Sequence, residues 1–158
     1  MQSIHEIKQE LQTLTAKELT ELCLRLAKFK KENKEMLAYL LFDAHNAEAY
    51  SEQIKENMRE TFKDVNTVNL YLAKKTLRKI LRQANRYIKY TSSKQTEADV
   101  LMHFCFLFKN SGIAIHKNKA ITNMYLQQIK KIRTALSTLH EDIQYDLLKQ
   151  VNQLETDV

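Results

Sequence analysis

Apolar residues recur along this chain at steps of three and four almost from end to end, the spacing that puts them on one face of a helix. Ile4, Ile7, Leu11 and Leu14 predict a first helix over residues 3–12. Thr15 and Glu18 have the spacing of a reciprocal capping box. They precede a second helix whose Leu19, Leu22, Cys23, Leu26 and Phe29 form a face expected to be buried. The lysines of KFKKENKE suit a helix C-terminus, and Asn33 can cap the next start. The segment MLAYLLF that follows is apolar nearly all round, which predicts a short helix lying deep.

Asn46 can cap a fourth helix reaching Lys63, with Tyr50, Ile54, Met58 and Phe62 as its inner edge. Glu48, Glu52, Glu56, Glu60 and Asp64 form a second ladder on the same helix, beside Lys55, Arg59 and Lys63. A fifth helix spans 68–90 and stops at Thr91-Ser92-Ser93, and Thr96 with Asp99 has the spacing of another cap. The sixth carries VLMHFCFLF and closes at Asn110-Ser111-Gly112-Ile113, where the glycine suits a left-handed position. Ile121, Tyr125, Ile129, Ile132 and Leu136 predict a seventh, and Thr138 with Glu141 a capping box for the eighth. Ile143, Leu147, Val151 and Leu154 are the inner face of that last helix.

Composition supports the pattern: zero prolines and one glycine in 158 residues leave few of the turns that a β-rich fold requires. The expected class is all-α, an irregular multihelical bundle or a short array of αα-hairpins, in one domain over 1–158. No apolar run reaches the roughly 18 residues of a membrane span. The first fourteen residues hold two glutamates and no apolar core of a signal peptide. Cys23 and Cys105, each inside an apolar pattern, fit packing roles in a reducing, cytoplasmic compartment. The stretch LTAKELTELCLRLAKFKKENKEMLAYLLFD resembles the start of small all-helical bacterial proteins of unassigned function. The resemblance implies a bacterial cytosolic setting and brings no catalytic or ligand residue with it.

Charge changes the picture more than composition does. The net charge is +6, yet residues 65–140 alone hold 14 basic and 2 acidic groups. Most of that excess lies in LAKKTLRKILRQANRYIKYTSSK, residues 72–94, with eight basic residues and no acid. At about 100° per residue, Lys74, Lys75, Arg78, Lys79, Arg82, Arg86 and Lys89 fall within an arc of roughly 140°. Leu70, Ala73, Leu77, Ile80, Leu81, Ala84, Tyr87 and Ile88 lie within an arc on the other side.

Lys74–Arg78, Arg78–Arg82, Arg82–Arg86 and Lys75–Lys79 are like-charge pairs one turn apart, together costing about 1–2 kcal/mol. Something is expected to offset them. Acids of the neighbouring ladder, or Glu141, Asp142 and Asp146, are the internal candidates. A nucleic acid held by Lys75, Arg78, Lys79, Arg82 and Arg86, with Tyr71 and Tyr90 as stacking surfaces, is the external one. An acidic protein or an anionic lipid surface would use the same charges.

Other constellations are weaker. Asp43, His45 and Glu48 lack a second histidine at metal-ligand spacing, and one glycine rules out a glycine-rich phosphate loop. His103 and Cys105 point about 200° apart on a helix, which no nucleophile pair tolerates. The run 100–108, apolar on all sides, is the central helix of the bundle or else a dimer interface through Phe104, Phe106 and Phe108. The reading is a non-catalytic helical interaction or scaffold protein, self-associating or binding a protein partner, without cofactor or metal. The alternative is a nucleic-acid-binding protein that uses the basic helix.

Overall fold

The computed structural model describes residues 1–156, and over them the protein is all-α, with eight α-helices and no strand. They are α1 (Ile4–Thr13), α2 (Ala16–Phe29), α3 (Lys31–Ala38), α4 (Ala47–Lys63), α5 (Leu70–Thr91), α6 (Lys94–Lys109), α7 (Lys119–Leu136) and α8 (Glu141–Glu155). A π-helical turn, Tyr39–Asp43, continues α3, and a 3-10 turn, Ile115–Lys117, precedes α7.

The chain divides into two compact units, residues 1–43 and 44–158, where the hydrophobic pattern alone suggests one domain. The reason lies in burial. None of α1, α2 and α3 contains a buried residue, so these helices build no core of their own. Leu26 and Phe29, expected inside, are 61 % and 76 % exposed, and Cys23 is exposed too. The segment MLAYLLF does not lie deep either: only Tyr39 is buried, while Leu40, Leu41 and Phe42 face solvent. Its outer half winds as the π turn.

The second unit has a single hydrophobic core running from Ile54 to Leu154. α6 is its centre, packed on α4, α5, α7 and α8. Val100, Leu101, Phe104, Cys105 and Phe108 are fully enclosed there. Aromatic rings step through this core from Phe62 to Phe104, Phe108 and Tyr125 at centroid separations of 5.6, 5.7 and 5.5 Å. These spacings suit tilted and edge-to-face rings.

The helix ends are held by side chains. The Thr15–Glu18 capping box is present, and a second one joins Ser3 and Glu6. Asn46, Asn69 and Asn118 accept from first-turn amides of α4, α5 and α7. Three caps differ from expectation. Ser93, not Thr96, starts α6, because one more turn of helix forms ahead of the buried Thr96. His140 caps α8 through Nδ1, in place of Thr138. Asn33 lies inside α3 and donates to the Leu26 carbonyl, so it finishes α2 instead of starting α3. Gly112 takes φ +81°, the left-handed conformation that ends the α6 segment.

The far end of α8 is closed by other helices. A helix leaves its last carbonyls without partners. Tyr125 Oη donates to the Leu154 carbonyl at 2.6 Å. Lys109 Nζ donates to the carbonyls of Gln153 at 2.9 Å and Thr156 at 2.6 Å.

Candidate anion-binding surface

α5 is positioned by its own apolar stripe. Ala73, Leu77, Ile80, Leu81, Ala84 and Ile88 are buried against the core, and α4 and α6 pack on it. Burial of one side turns the other outward. Lys75, Arg78, Lys79, Arg82 and Lys89 are exposed, and Lys74 is half-buried. From Lys75 to Lys89 the face runs about 21 Å along the helix axis.

Neither internal acid source reaches these charges. Three acids of the α4 ladder are taken up on their own helix: Glu52 with Lys55 at 2.9 Å, Glu56 with Arg59 at 2.5 Å and Glu60 with Lys63 at 2.6 Å. Lys55 also crosses to Asp99 on α6 at 2.7 Å. Of the α8 acids, Glu155 pairs with Arg133. Among the described residues, Lys74, Lys75, Arg78, Lys79, Arg82 and Lys89 have no carboxylate within 4.0 Å. The like-charge repulsion among Lys74, Lys75, Arg78, Lys79 and Arg82 is therefore not offset by carboxylates of the described residues.

Two residues of the expected surface take other roles. Arg86 is half-buried, with its guanidinium carbon 5.4 Å from the centroid of the Tyr87 ring, a cation–π distance. It is set apart from the open cluster. Tyr90 is 7 % exposed and offers no stacking surface. Tyr71 is 71 % exposed and shares the arc of Lys75 and Arg78, so its ring is open beside them. The open cations that lie closest together are Lys75, Arg78, Lys79 and Arg82, with Tyr71 at their N-terminal end and the exposed Lys89 two turns further on.

The expected dimer surface does not survive intact. Phe104 and Phe108 are 0 % exposed because they point into the aromatic core, and only Phe106, at 54 %, reaches solvent. Cys105 is enclosed next to these rings, and burial pushes its thiol well above the ordinary range. His103 is half-buried, and Arg59 Nη1 lies 3.3 Å from its Nε2. Burial first, then the charges of Arg59 and Lys55, lower its pKa. Among the described residues, no cluster of three or more His, Cys, Asp or Glu is arranged to hold a metal ion.

Sequence spacing gave no sign of one further grouping. Lys55, Asp99, His103, Phe106, Gln150 and Gln153 come from three helices to line one cleft of the second unit. Asp99, His103 and Phe106 share one face of α6 at helical steps, and Gln150 with Gln153 one face of α8, but spacing does not show that the two faces meet.

The fold and surface define a class: an all-α protein with an open cationic face on a long helix. No family model matches the chain, and no curated protein or solved structure matches it. No described helix is long and apolar enough to cross a membrane.

Proposed function

We propose that this is a non-catalytic binding protein that holds nucleic acid on the open face of α5. The observation that carries the reading is the set of exposed cations, Lys75, Arg78, Lys79 and Arg82, with no carboxylate partner among the described residues. Phosphates are the natural complement of guanidinium and ammonium groups at this density, and binding them releases condensed counterions. Tyr71 adds a ring on which an unpaired base can stack. The test is fluorescence anisotropy with a labelled duplex and a labelled single strand, comparing the protein with an Arg78→Glu/Lys79→Glu/Arg82→Glu variant. Both ligands should bind the parent protein at low salt, and the variant should lose at least thirtyfold in affinity. Equal binding by the two proteins would remove the reading.

A second reading, a helical interaction protein that self-associates, draws on the N-terminal unit. Leu22, Leu26 and Phe29 share one face of α2 and all are exposed, at 39 %, 61 % and 76 %. Light scattering at micromolar concentration checks it: a dimer that Leu26→Ser/Phe29→Ser returns to monomer supports this reading, and a monomeric parent ends it. We also infer a reducing, cytoplasmic setting. Both cysteines are free thiols, and Cys23 is exposed where an oxidising compartment would engage it. The likeness of the N-terminal stretch to small bacterial helical proteins agrees with that setting.

A further inference from the structure

The second unit contains a cleft of about 610 Å³ between α4, α6 and α8. That volume lies within the range of small-molecule sites, which are largely apolar with a few convergent polar groups. Met102, Phe106, Leu147 and Leu154 supply its apolar lining. Phe106 keeps 54 % of its surface exposed although it sits on the central helix of the bundle. The His103 and Phe106 rings lie one turn apart with centroids 6.5 Å from each other and planes only 25° apart. The two rings are stacked, one over the other, and the exposure of Phe106 leaves its ring accessible from the cleft.

The charged groups of the cleft are already engaged. Lys55 Nζ binds Asp99 at 2.7 Å and Glu52 at 2.9 Å. Lys109 Nζ is held by the carbonyls at the end of α8. No spare cation calls for an anion here, in contrast to α5. What remains unspent is neutral hydrogen-bonding capacity. The side-chain amides of Gln150 and Gln153 have no partner among the described residues. With Arg59 donating to Nε2, the neutral His103 ring carries its proton on Nδ1, a donor without an acceptor among the described residues. Asp99 engages Ser51 and Lys55 through one oxygen, Oδ2, and leaves Oδ1 to accept.

We infer that this cleft binds an uncharged planar aromatic molecule bearing an amide-like edge, with its ring against the exposed Phe106 ring and its edge on the free polar groups. Donor and acceptor are both needed on that edge, because Asp99 Oδ1 accepts, His103 Nδ1–H donates and a glutamine amide does either. The site is separate from the cationic residues of α5, and ligand binding here does not depend on phosphate contacts.

Benzamide is a minimal probe of that class, and cyclohexanecarboxamide has the same edge without the flat ring. Each is titrated into the 15N-labelled full-length protein, and backbone amide shifts are followed. Benzamide should produce saturable shifts centred on Met102, His103, Phe106, Gln150 and Gln153, with the saturated analogue at least fivefold weaker. Phe106→Leu keeps an apolar side chain at a solvent-facing position and so preserves the fold, yet should weaken benzamide at least fivefold. Absence of shifts up to the solubility limit, an equal response to both amides, or unchanged affinity in Phe106→Leu would each overturn the assignment.

Discussion

A single carboxamide oxygen holds the start of the cationic helix. Asn69 Oδ1 accepts from the amides of Tyr71 at 3.0 Å and Leu72 at 3.2 Å, satisfying two donors that the helix itself cannot. Asn69→Ala should therefore lower stability by about 1 kcal/mol. A shift of the urea midpoint at constant slope would show it. Tyr125 does similar work at the C-terminus of α8, and Tyr125→Phe leaves the Leu154 carbonyl without its donor. A loss of about 1–3 kcal/mol is expected in the same measurement.

His103 sets a pH dependence. Its pKa in the folded protein lies below the ordinary 6.5, so the unfolded chain takes up its proton first as pH falls. The stability tied to the neutral ring is present above about pH 6.5 and is lost as pH drops through the lower folded value. Thermal midpoints should decline from pH 7 to about 5.5, and His103→Gln should flatten that decline. An identical slope in the variant would assign the effect to other groups. At this scale the sequence was legible where the chemistry is local. Thr15 with Glu18, Asn46 and Gly112 behave as their spacing indicates. Thr138 with Glu141 offered an equally good box, but His140 occupies the cap. Competing caps two residues apart are decided by how the chain enters the helix, which composition does not encode.

At the scale of elements, α5 carries a conflict between stability and binding. Its exposed face repeats like charges one turn apart, between Lys74, Arg78 and Arg82 and between Lys75 and Lys79, with no carboxylate to relieve them. Arg78→Glu would replace two repulsions with two attractions, to Lys74 and Arg82. The variant should be more stable by about 1 kcal/mol, and this gain should shrink as salt is raised. The same change should weaken nucleic-acid binding. A variant less stable than the parent at low salt would show that the charges are satisfied in some other way.

The wheel of α5 was readable because one stripe of one helix decides it, and Leu77, Ile80 and Ala84 are buried as their period requires. The same logic failed for α2. Its period correctly marks Leu22, Leu26 and Phe29 as one face, but a period says only that a face is apolar and not that anything covers it. The all-apolar run of α6 was ambiguous for the same reason. Four neighbouring helices, not a second copy, enclose Phe104 and Phe108.

For the whole molecule, the division of labour follows the division of the chain. Every residue of the main hydrophobic core cluster lies between Ile54 and Leu154, within the second unit. Expressed alone, that unit, residues 44–158, should give a helical circular dichroism spectrum and one cooperative thermal transition. A spectrum lacking helix would show that the first unit is needed for folding. Both candidate surfaces, the cationic face and the aromatic cleft, belong to this second unit. The face was visible in the sequence because its residues share one helix. The cleft was not, because Asp99, His103 and Gln150 meet only through the packing of α6 and α8.

The central claim is that four open cations on α5 displace counterions from a nucleic acid. The most direct measurement is the affinity for a generic duplex as a function of monovalent salt. Four phosphate contacts predict a slope of about −3.6 in log Kobs against log salt, reduced to about −0.9 when Arg78, Lys79 and Arg82 are all changed to glutamate. A flat line for the parent protein, or the same slope in both proteins, would contradict the claim.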